Sequence, residues 1–491
     1  MTDNLKVLFL SSEVMPFAKT GGLADVAGAL PSALKRLGVD VRLVMPFYRV
    51  IREGAYNTLV ILKDIEIPYG EKTLKADISE TSLGDEIPVY LVEREDMFDR
   101  PNLYGNSRGD YYDNLERFSF FSHAALKISQ AIGFSPDVVH CHDWQTGLVP
   151  ALLKGPYKTS NGLSNASSVF TIHNMGYQGI FNSEKLAMTG LSGPLYFHPE
   201  GLEYWGDISL LKAGIVYSDA ITTVSPTYAG EIISHEYGLG MEGVLLGRQK
   251  ALHGILNGVD YDKWDPVKDI NLSAHYSRQA MSGKKKCKRE LLRETSLDLS
   301  LYDKPLLGMI TRLDKQKGLD ILIPVLEDVL KLDASMILLG SGDEQIEIAL
   351  RKAADRNPGR MAIFTGFNDP LAHRIMAGAD IFLIPSRYEP CGLTQMYALK
   401  YGTVPVVRAT GGLNDTIEQY DNQKMKGNGF KFVQYDSIAL LDAVKLAIRC
   451  YKDKTAWKRL MANGMKSDFS WDRSAERYLN IYGSIKKRQA I

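Results

Sequence analysis

The distribution of apolar residues predicts a strand followed by a helix near the start of the chain. The uninterrupted apolar run 7–10 is typical of a buried strand. Beyond it, apolar residues recur every three or four positions, the spacing that lines one face of a helix. These helical positions are Leu23, Val26, Ala27, Leu30, Leu34 and Leu37. The turn that joins the two elements contains Lys19 and the adjacent glycines Gly21 and Gly22.

The alternation of strands and helices continues along the chain in two stretches. In the first, a helix is predicted over 114–132, and strand signals are dense over 58–95. A turn-rich segment over 253–266 predicts a hinge, and a second series of strands begins near 306. Strands that alternate with helices form parallel sheets with helices on both faces. The other predicted strands are 138–140, 168–172, 220–224, 306–311, 336–339, 361–366, 381–385 and 404–408.

This pattern predicts an α/β protein with two doubly wound, Rossmann-like domains, 1–253 and 254–471. A final helix, 472–491, carries Tyr478 and Tyr482 among polar residues and is expected to dock on the first domain. Ligands bind such sheets at the carboxyl ends of the strands. A deep cleft between the two domains is therefore the expected site.

Composition excludes several classes of function. The chain has 58 basic and 58 acidic residues, so it has no net charge to attract nucleic acid or an anionic membrane. No apolar run reaches the roughly 18 residues of a membrane helix, and the first strand begins too early to leave room for a signal peptide. We therefore expect a cytoplasmic protein. The four cysteines are too far apart for a zinc knuckle or a disulfide scaffold; they are Cys141, Cys287, Cys391 and Cys450.

The turn around Gly21 and Gly22 has the features of a phosphate-binding site. Adjacent glycines let a ligand approach the backbone closely. The first amides of the following helix are unpaired, and the helix dipole favours an anion. Lys19 adds a positive charge. We predict that the turn binds a diphosphate, with an ordinary strand-to-helix turn as the alternative.

Two segments of the second half carry charged residues at strand ends. Arg312 and Lys317 follow one strand and could clamp a diphosphate; the alternative is a pair of surface charges. Glu389 follows another strand where a helix begins, and Gly392 and Thr394 would present backbone amides there. Beside a sugar, this carboxylate could orient hydroxyls or stabilise an oxocarbenium-like centre; the alternative is a helix-capping acid.

Polar residues also follow two strands of the first half. The two histidines His140 and His142, followed by Asp143, could suggest a metal. No further ligand at helical spacing supports one, so we predict no metal site. Asp143 is instead expected to contact a sugar. His173 emerges at the ligand edge of the sheet. It is a candidate hydrogen-bond donor to a substrate, and a structural role is the alternative.

Other motifs carry weaker signals. The glycine turns Gly340–Gly342 and Thr410–Gly412 are equally consistent with plain turns. The segment Gly238–Gly243 matches the spacing of a dinucleotide-binding turn, but it follows a helix rather than a strand. The acids of Asp260–Asp262 are interpreted as turn residues of the hinge. The basic run Lys284–Arg289 is predicted to be a solvated helix face.

Together these residues resemble the bacterial glycogen synthase and plant starch synthase family, which are retaining glycosyltransferases of the GT-B fold. The resemblance extends over essentially the whole chain. Its markers are Lys19–Val26, Cys141–Gly147, Val169–Asn174, Tyr237–Leu245, His253–Asp260, Arg312–Asp320 and Glu389–Gln395. It implies transfer of glucose from ADP-glucose to the nonreducing end of an α-1,4-glucan, with no cofactor and no metal.

The resemblance also implies roles for individual residues. Glu389 resembles the essential acid near the glucose, and His173 the donor to its 6-hydroxyl region. Phe367 stands where the family places an aromatic ring against the base. The pyrophosphate contacts are Lys19, Gly22, Arg312 and Lys317; further donor contacts are Cys391, Gly392, Leu393 and Thr394; the sugar and acceptor contacts are Asp143 and Asn257. Tyr397 stands where many GT-B enzymes have a ribose-binding glutamate, so the ribose contacts stay unassigned.

Several other functions are weighed against this one. UDP-glucose is an alternative donor, because stacking on Phe367 tolerates either base. A sucrose- or trehalose-type synthase would use another acceptor. A phosphorylase would need pyridoxal phosphate and normally a longer chain. A glucan-binding protein without activity would have no reason to combine the two cations of the second half with Glu389.

Overall fold

The computed structural model describes residues 5–84, 86–106, 108–191 and 193–489, and it divides the chain into two compact units. The first unit runs to Gly258 and includes the chain from Trp471 onward, and the second is Val259–Ser470. Within the first unit, Ser474 donates a hydrogen bond to the carbonyl of Leu256 (2.5 Å). Residues 490 and 491 of the predicted final helix lie outside the described residues.

The first unit is built on a mostly parallel sheet in the order β14-β13-β9-β8-β1-β2-β5-β4-β3. The strands from β14 to β5 are parallel, and β4 and β3 extend the sheet as antiparallel strands. The strands of this unit are β1 Lys6–Leu10, β2 Asp40–Pro46, β3 Leu59–Tyr69, β4 Lys72–Leu83, β5 Ile87–Glu93, β6 Gly105–Asn106, β7 Gly109–Asp110, β8 Val138–His142, β9 Ser167–Ile172, β10 Ile180–Phe181, β11 Glu203–Tyr204, β12 Asp207–Ser209, β13 Ala220–Thr223 and β14 Leu252–Gly254.

Helices cover this sheet through their apolar faces. Helix α1 buries Leu23, Val26, Leu30 and Leu34, as the spacing of these residues predicts. The helices are α1 Gly22–Arg36, α2 Arg49–Arg52, α3 Glu95–Phe98, α4 Asn114–Ala131, α5 Val149–Lys154, α6 Leu210–Tyr217, α7 Pro226–Glu231 and α8 Glu242–Gly247.

The second unit has an entirely parallel sheet in the order β17-β16-β15-β18-β19-β20. Successive residues of β16 enter different cores, Met336 and Leu338 on one face, Ile337 and Leu339 on the other. The five predicted strands of this half are confirmed, and β20 was not predicted. The strands are β15 Leu306–Ile310, β16 Ser335–Gly340, β17 Met361–Thr365, β18 Ile381–Ile384, β19 Val404–Arg408 and β20 Phe430–Phe432.

Side-chain caps define where several helices of this unit begin. Asp343, Asn368 and Asp436 each accept a hydrogen bond from a backbone amide of the first helical turn. The helices are α9 Ser282–Glu294, α10 Leu319–Leu322, α11 Leu326–Leu330, α12 Glu344–Arg356, α13 Asp369–Gly378, α14 Thr394–Lys400, α15 Gly411–Thr416, α16 Ser437–Lys452 and α17 Lys454–Lys466.

The last helix, α18 (Trp471–Gln489), belongs to the first unit and packs against α1. Arg36 pairs with Asp472 at 2.6 Å. The rings of Tyr478 and Tyr482 are completely buried, and the Tyr482 hydroxyl lies 2.7 Å from Nδ1 of His140. The helix therefore completes the core of this unit.

Strand order locates the ligand-binding edge of each sheet. In both units the order reverses beside the first strand, between β1 and β8 and between β15 and β18. Open parallel sheets bind ligands at such switch points, beyond the carboxyl ends of the strands. The prediction of two Rossmann-like domains is confirmed, and the loops after these four strands are the places to look for a site.

The basic run on α9 is not a solvated face throughout, so that prediction is wrong. Lys284 is buried and donates to the carbonyls of Ala377 and Ala379. Lys288 is buried and pairs with Asp380 at 2.6 Å. Both side chains reach acceptors at the edge of the sheet that the local sequence cannot reveal. In the part of the chain that the structure describes, no helix combines the length and hydropathy needed to span a membrane.

Candidate active site

Lys317 and Glu389 form an ion pair at the switch point of the second unit. Lys317 follows β15, Glu389 follows β18, and Nζ lies 2.7 Å from Oε2. Their side chains are only 17% and 10% exposed. The Ser386 hydroxyl donates to the same Oε2 at 2.9 Å. The carboxylate is therefore held in one orientation by a cation and a hydroxyl.

Contacts between the loop after β15 and the loop after β18 bring Lys317 and Glu389 together. The Arg387 amide donates to the carbonyl of Gln316 (2.8 Å), and Nε2 of Gln316 donates to the carbonyl of Tyr388 (3.2 Å). Gly318 has a positive φ of 75°, and a Cβ there would lie 2.0 Å from the Pro385 carbonyl oxygen. Only glycine permits this approach. Arg312 is tied to the same loop, since its Nη2 lies 3.2 Å from Oε1 of Gln316.

The second double-glycine turn, Thr410–Gly412, packs on the loop that carries Glu389. A Cβ on Gly411 would lie 2.0 Å from the Glu389 carbonyl oxygen, and a Cβ on Gly412 would lie 2.0 Å from that of Cys391. The Gly412 amide also donates to the Glu389 carbonyl at 3.1 Å. The two glycines therefore let one loop pack directly on the backbone of another.

The remaining predicted donor contacts lie beyond Glu389 and after β17. Nε2 of Gln395 donates to the carbonyls of Cys391 and Gly392, which fixes the turn that opens α14. Cys391 is buried, whereas Gly392, Leu393 and Thr394 are partly exposed. Phe367 is 87% exposed. The turn offers backbone amides at a helix start, and Phe367 offers a free ring face.

In the first unit, part of the predicted phosphate turn is filled by Glu13. Its carboxylate accepts hydrogen bonds from the amides of Thr20 (2.5 Å) and Gly21 (3.1 Å) and from the Thr20 hydroxyl (2.6 Å). Tyr104 donates to the same carboxylate at 2.8 Å. Apart from its chain neighbours and the backbone of its own helix, no described residue has an atom within 4 Å of a Cβ built on Gly22. The open part of the turn therefore begins at Gly22.

Lys19 lies beside this turn with its charge partly satisfied. Its Nζ contacts Oδ1 of Asp25 at 2.7 Å, and the side chain is exposed. An exposed pair of this kind contributes little to stability. Lys19 can therefore exchange Asp25 for another anion at small cost.

Asp143 and His173 meet where β8 and β9 end. Asp143 has a positive φ of 55°, and its Oδ1 accepts a hydrogen bond from the His173 amide at 2.7 Å. Burial, opposed by the hydrogen bond from the His173 amide and aided by the nearby Glu13 carboxylate, raises the pKa of Asp143 to about 7. Burial lowers the pKa of His173 to about 3, so its imidazole is neutral at physiological pH.

The other polar residues of this edge have mainly internal partners. His140 contacts the hydroxyls of Thr171 and Tyr482, and His142 contacts His173. Asn257 is buried, and its Oδ1 has no hydrogen-bond partner among the described residues. The Asp262 amide donates to Oδ1 of Asp260 at 3.0 Å, the geometry of a turn.

Two family models match the chain, the starch synthase catalytic domain over residues 6–247 and glycosyl transferases group 1 over residues 298–461. The chain is 46% identical to a glycogen synthase of Anaeromyxobacter sp. (strain Fw109-5) over 482 residues, 98% of this chain and 99% of the relative. The chain belongs to the glycogen synthase and starch synthase family. Another member, a glycogen synthase of Koribacter versatilis (strain Ellin345), is 44% identical over 99% of both chains.

A solved structure of the same family extends this comparison to the fold. The catalytic domain of starch synthase IV from Arabidopsis thaliana matches with a TM-score of 0.92 and 34% identity, covering 99% of this chain and 100% of that domain. The predicted family, the GT-B fold and the assignment as a glucosyltransferase are therefore confirmed. The roles of the individual site residues stay predictions.

Proposed function

We propose that this glucosyltransferase elongates glycogen by transferring glucose from ADP-glucose to the nonreducing end of an α-1,4-glucan, with retention of configuration. The buried Lys317–Glu389 pair at the switch point carries the proposal, because it places a fixed carboxylate and a cation side by side. The Arabidopsis starch synthase IV domain was solved with ADP and acarbose. Those ligands favour an adenine nucleotide and a glucan-like acceptor here.

The cations would bind the diphosphate of the donor. An ammonium has three N–H donors, so Lys317 can bind Glu389 with one and phosphate oxygens with the others. Arg312 has a half-exposed side chain and presents a planar fork suited to phosphate. In the first unit, Lys19 and the open Gly22 are proposed to bind phosphate oxygens. These donors offset the negative charge that grows as the diphosphate leaves.

The reaction would proceed by substitution on one face of the glucose. The acceptor 4-hydroxyl oxygen bonds to C1 while the bond from C1 to the diphosphate oxygen breaks. The hydroxyl proton passes to the departing phosphate oxygen, so the step balances without a second carboxylate as nucleophile. Glu389 would stabilise the positive charge at the anomeric centre.

Other residues are proposed to orient the substrates. His173 and Asp143 would contact glucose hydroxyls, and a hydroxyl would satisfy the buried Oδ1 of Asn257. Phe367 would stack on the base, and the turn 391–394 would bind the donor through its amides. None of the four cysteines, all in described ranges, forms a disulfide. This favours the reducing cytoplasm as the place of the reaction.

Incorporation of glucose into glycogen tests the proposal. With EDTA present, we expect transfer from ADP-glucose at least about tenfold faster than from UDP-glucose, in line with the ADP bound by the Arabidopsis domain. The Glu389→Gln variant supplies the background rate. Faster transfer from UDP-glucose would reassign the donor, and absence of transfer from both sugars would overturn the proposal.

Glu13 is expected to fix the phosphate turn, although nothing in its local sequence marked it. In Glu13→Ala, the amides of Thr20 and Gly21 both lose the oxygen Oε2 that they share, so the turn should lose its fixed geometry. We expect KM for the donor to rise about tenfold with a smaller change in kcat, measured by steady-state kinetics. Glu53→Ala, at an exposed glutamate, is the matched control; equal KM values for the two variants would refute the role.

A further inference from the structure

A second imidazole lies directly behind His173. His142 on β8 is completely buried, and its Nδ1 lies 2.9 Å from Nε2 of His173. We infer that His142 is a positioning residue that holds His173 in the tautomer protonated on Nδ1. The contact of His173 with substrate rests on the proposed function. The positions of the protons on the two rings do not depend on that function.

The pair holds one shared proton. Burial lowers the pKa of His142 well below its usual value and that of His173 to about 3. Both rings are therefore neutral, and each carries a proton on only one nitrogen. Between the facing nitrogens, one ring must donate and the other must accept.

The surroundings of His142 decide which ring donates. Its Nε2 is buried and finds no hydrogen-bond partner in the described ranges. The rings of Phe9 and His140 pack against its faces, with centroids 4.3 and 4.1 Å away. If His173 donated, Nε2 of His142 would carry a buried N–H without an acceptor, which is rarer in proteins than a buried acceptor without a donor. His142 therefore donates from Nδ1 and keeps Nε2 bare.

This arrangement determines what His173 can bind. Its Nε2 is occupied by His142, so Nδ1 is the ring nitrogen left for a ligand, and it carries a proton. Asp143 accepts the backbone amide of His173 rather than a ring proton, so it does not compete for Nδ1. His173 thus presents a neutral N–H donor, which suits a lone pair of a sugar hydroxyl.

The neighbouring imidazole of His140 does not change the tautomers assigned to His142 and His173. His140, the nearest other imidazole, is held by Tyr482 through Nδ1 and by Thr171 through Nε2. It therefore has no nitrogen available to bind His142. The proton arrangement of the inner pair depends on His142 alone, and a change at Tyr482 should not reach it.

Nitrogen NMR of the full-length protein, labelled with ¹⁵N-histidine, tests the inference without any ligand. Signals of His173 are assigned by their loss in His173→Gln. We expect a protonated Nδ1 and a bare Nε2 in the wild type. A protonated Nε2 in the wild-type ring would overturn the inference.

Variants of His142 connect the tautomer to catalysis. His142→Phe removes the donor, so His173 should populate both tautomers and kcat/KM should fall about tenfold. In His142→Asn, the amide nitrogen can replace Nδ1, so tautomer and kcat/KM should stay within about threefold of wild type. Tyr482→Phe is the matched control and should change neither.

The outcomes separate this inference from the proposed function. Should His142→Phe misfold, as judged by its thermal melt, the wild-type spectrum and His142→Asn still decide the matter. An unchanged tautomer and unchanged kcat/KM in a folded His142→Phe would overturn the inference. Failure of glucose transfer in the wild type, with Nδ1 protonated as expected, would overturn only the proposed function.

Discussion

Replacing Lys317 with alanine is expected to lower kcat for glucose transfer by about 10²–10³-fold. The variant loses the cation that would neutralise the departing diphosphate. It also loses the 2.7 Å contact that orients Glu389. The fold should persist, because Ser386 still donates to the carboxylate. Turnover with saturating donor and glycogen, together with a thermal melt, measures both effects.

Lys315→Ala provides the matched control. Lys315 lies in the same short helical turn, Lys315–Lys317, but its side chain is exposed. Its loss removes the same charge from the same loop without touching Glu389. We expect kcat of this variant to stay within about twofold of wild type. A Lys317→Ala enzyme that kept its kcat would rule out the assigned role.

Glu389→Gln is expected to have an effect at least as large, a loss of roughly 10³-fold in kcat. The substitution preserves shape but removes the negative charge beside the anomeric centre. It also leaves Lys317 with a weaker partner in a mostly buried position. Initial rates with ADP-glucose and glycogen would measure the loss. Glu418→Gln, an exposed acid of the same unit, should behave like the wild type.

The double variant tests whether the two residues act as a unit. Residues that share one interaction have strongly non-additive effects. Lys317→Ala combined with Glu389→Gln should therefore lose far less activity than the product of the single losses. Strictly multiplicative losses would mean that the two residues contribute to catalysis independently and that their ion pair adds nothing to it.

Local patterns predicted the elements of the fold because each strand and helix buries a periodic apolar face. The strands of the second unit and helix α1 follow directly from such spacing. Local patterns do not predict which loops lie side by side, because that depends on the order of the strands in the sheet. Lys317 and Glu389 are 72 residues apart, and only the order β16-β15-β18 places their loops side by side.

The two Thr-Gly-Gly-Leu segments show where local sequence stops being informative. At Gly22 the backbone is open, whereas at Gly411 and Gly412 it packs against the Glu389 loop. The letters are identical, so only the neighbouring chain distinguishes a turn whose glycines are open from one whose glycines are packed. Glu13 was missed for the same reason, because the fold brings its partners to it: two backbone amides and the hydroxyls of Thr20 and Tyr104. Lys284 and Lys288 were misassigned because their acceptors, Ala377, Ala379 and Asp380, lie 92 to 95 residues further along the chain.

The position of α18 has a consequence for how the protein is made. The first unit buries Tyr478 and Tyr482 from the last helix, so its core stays incomplete while the ribosome is still translating the second unit. The second unit is one continuous stretch, Val259–Ser470, and can finish folding first. Synthesis therefore reverses the usual amino-to-carboxyl order of domain completion. The half of the chain that is made first keeps apolar surface uncovered until α18 has emerged.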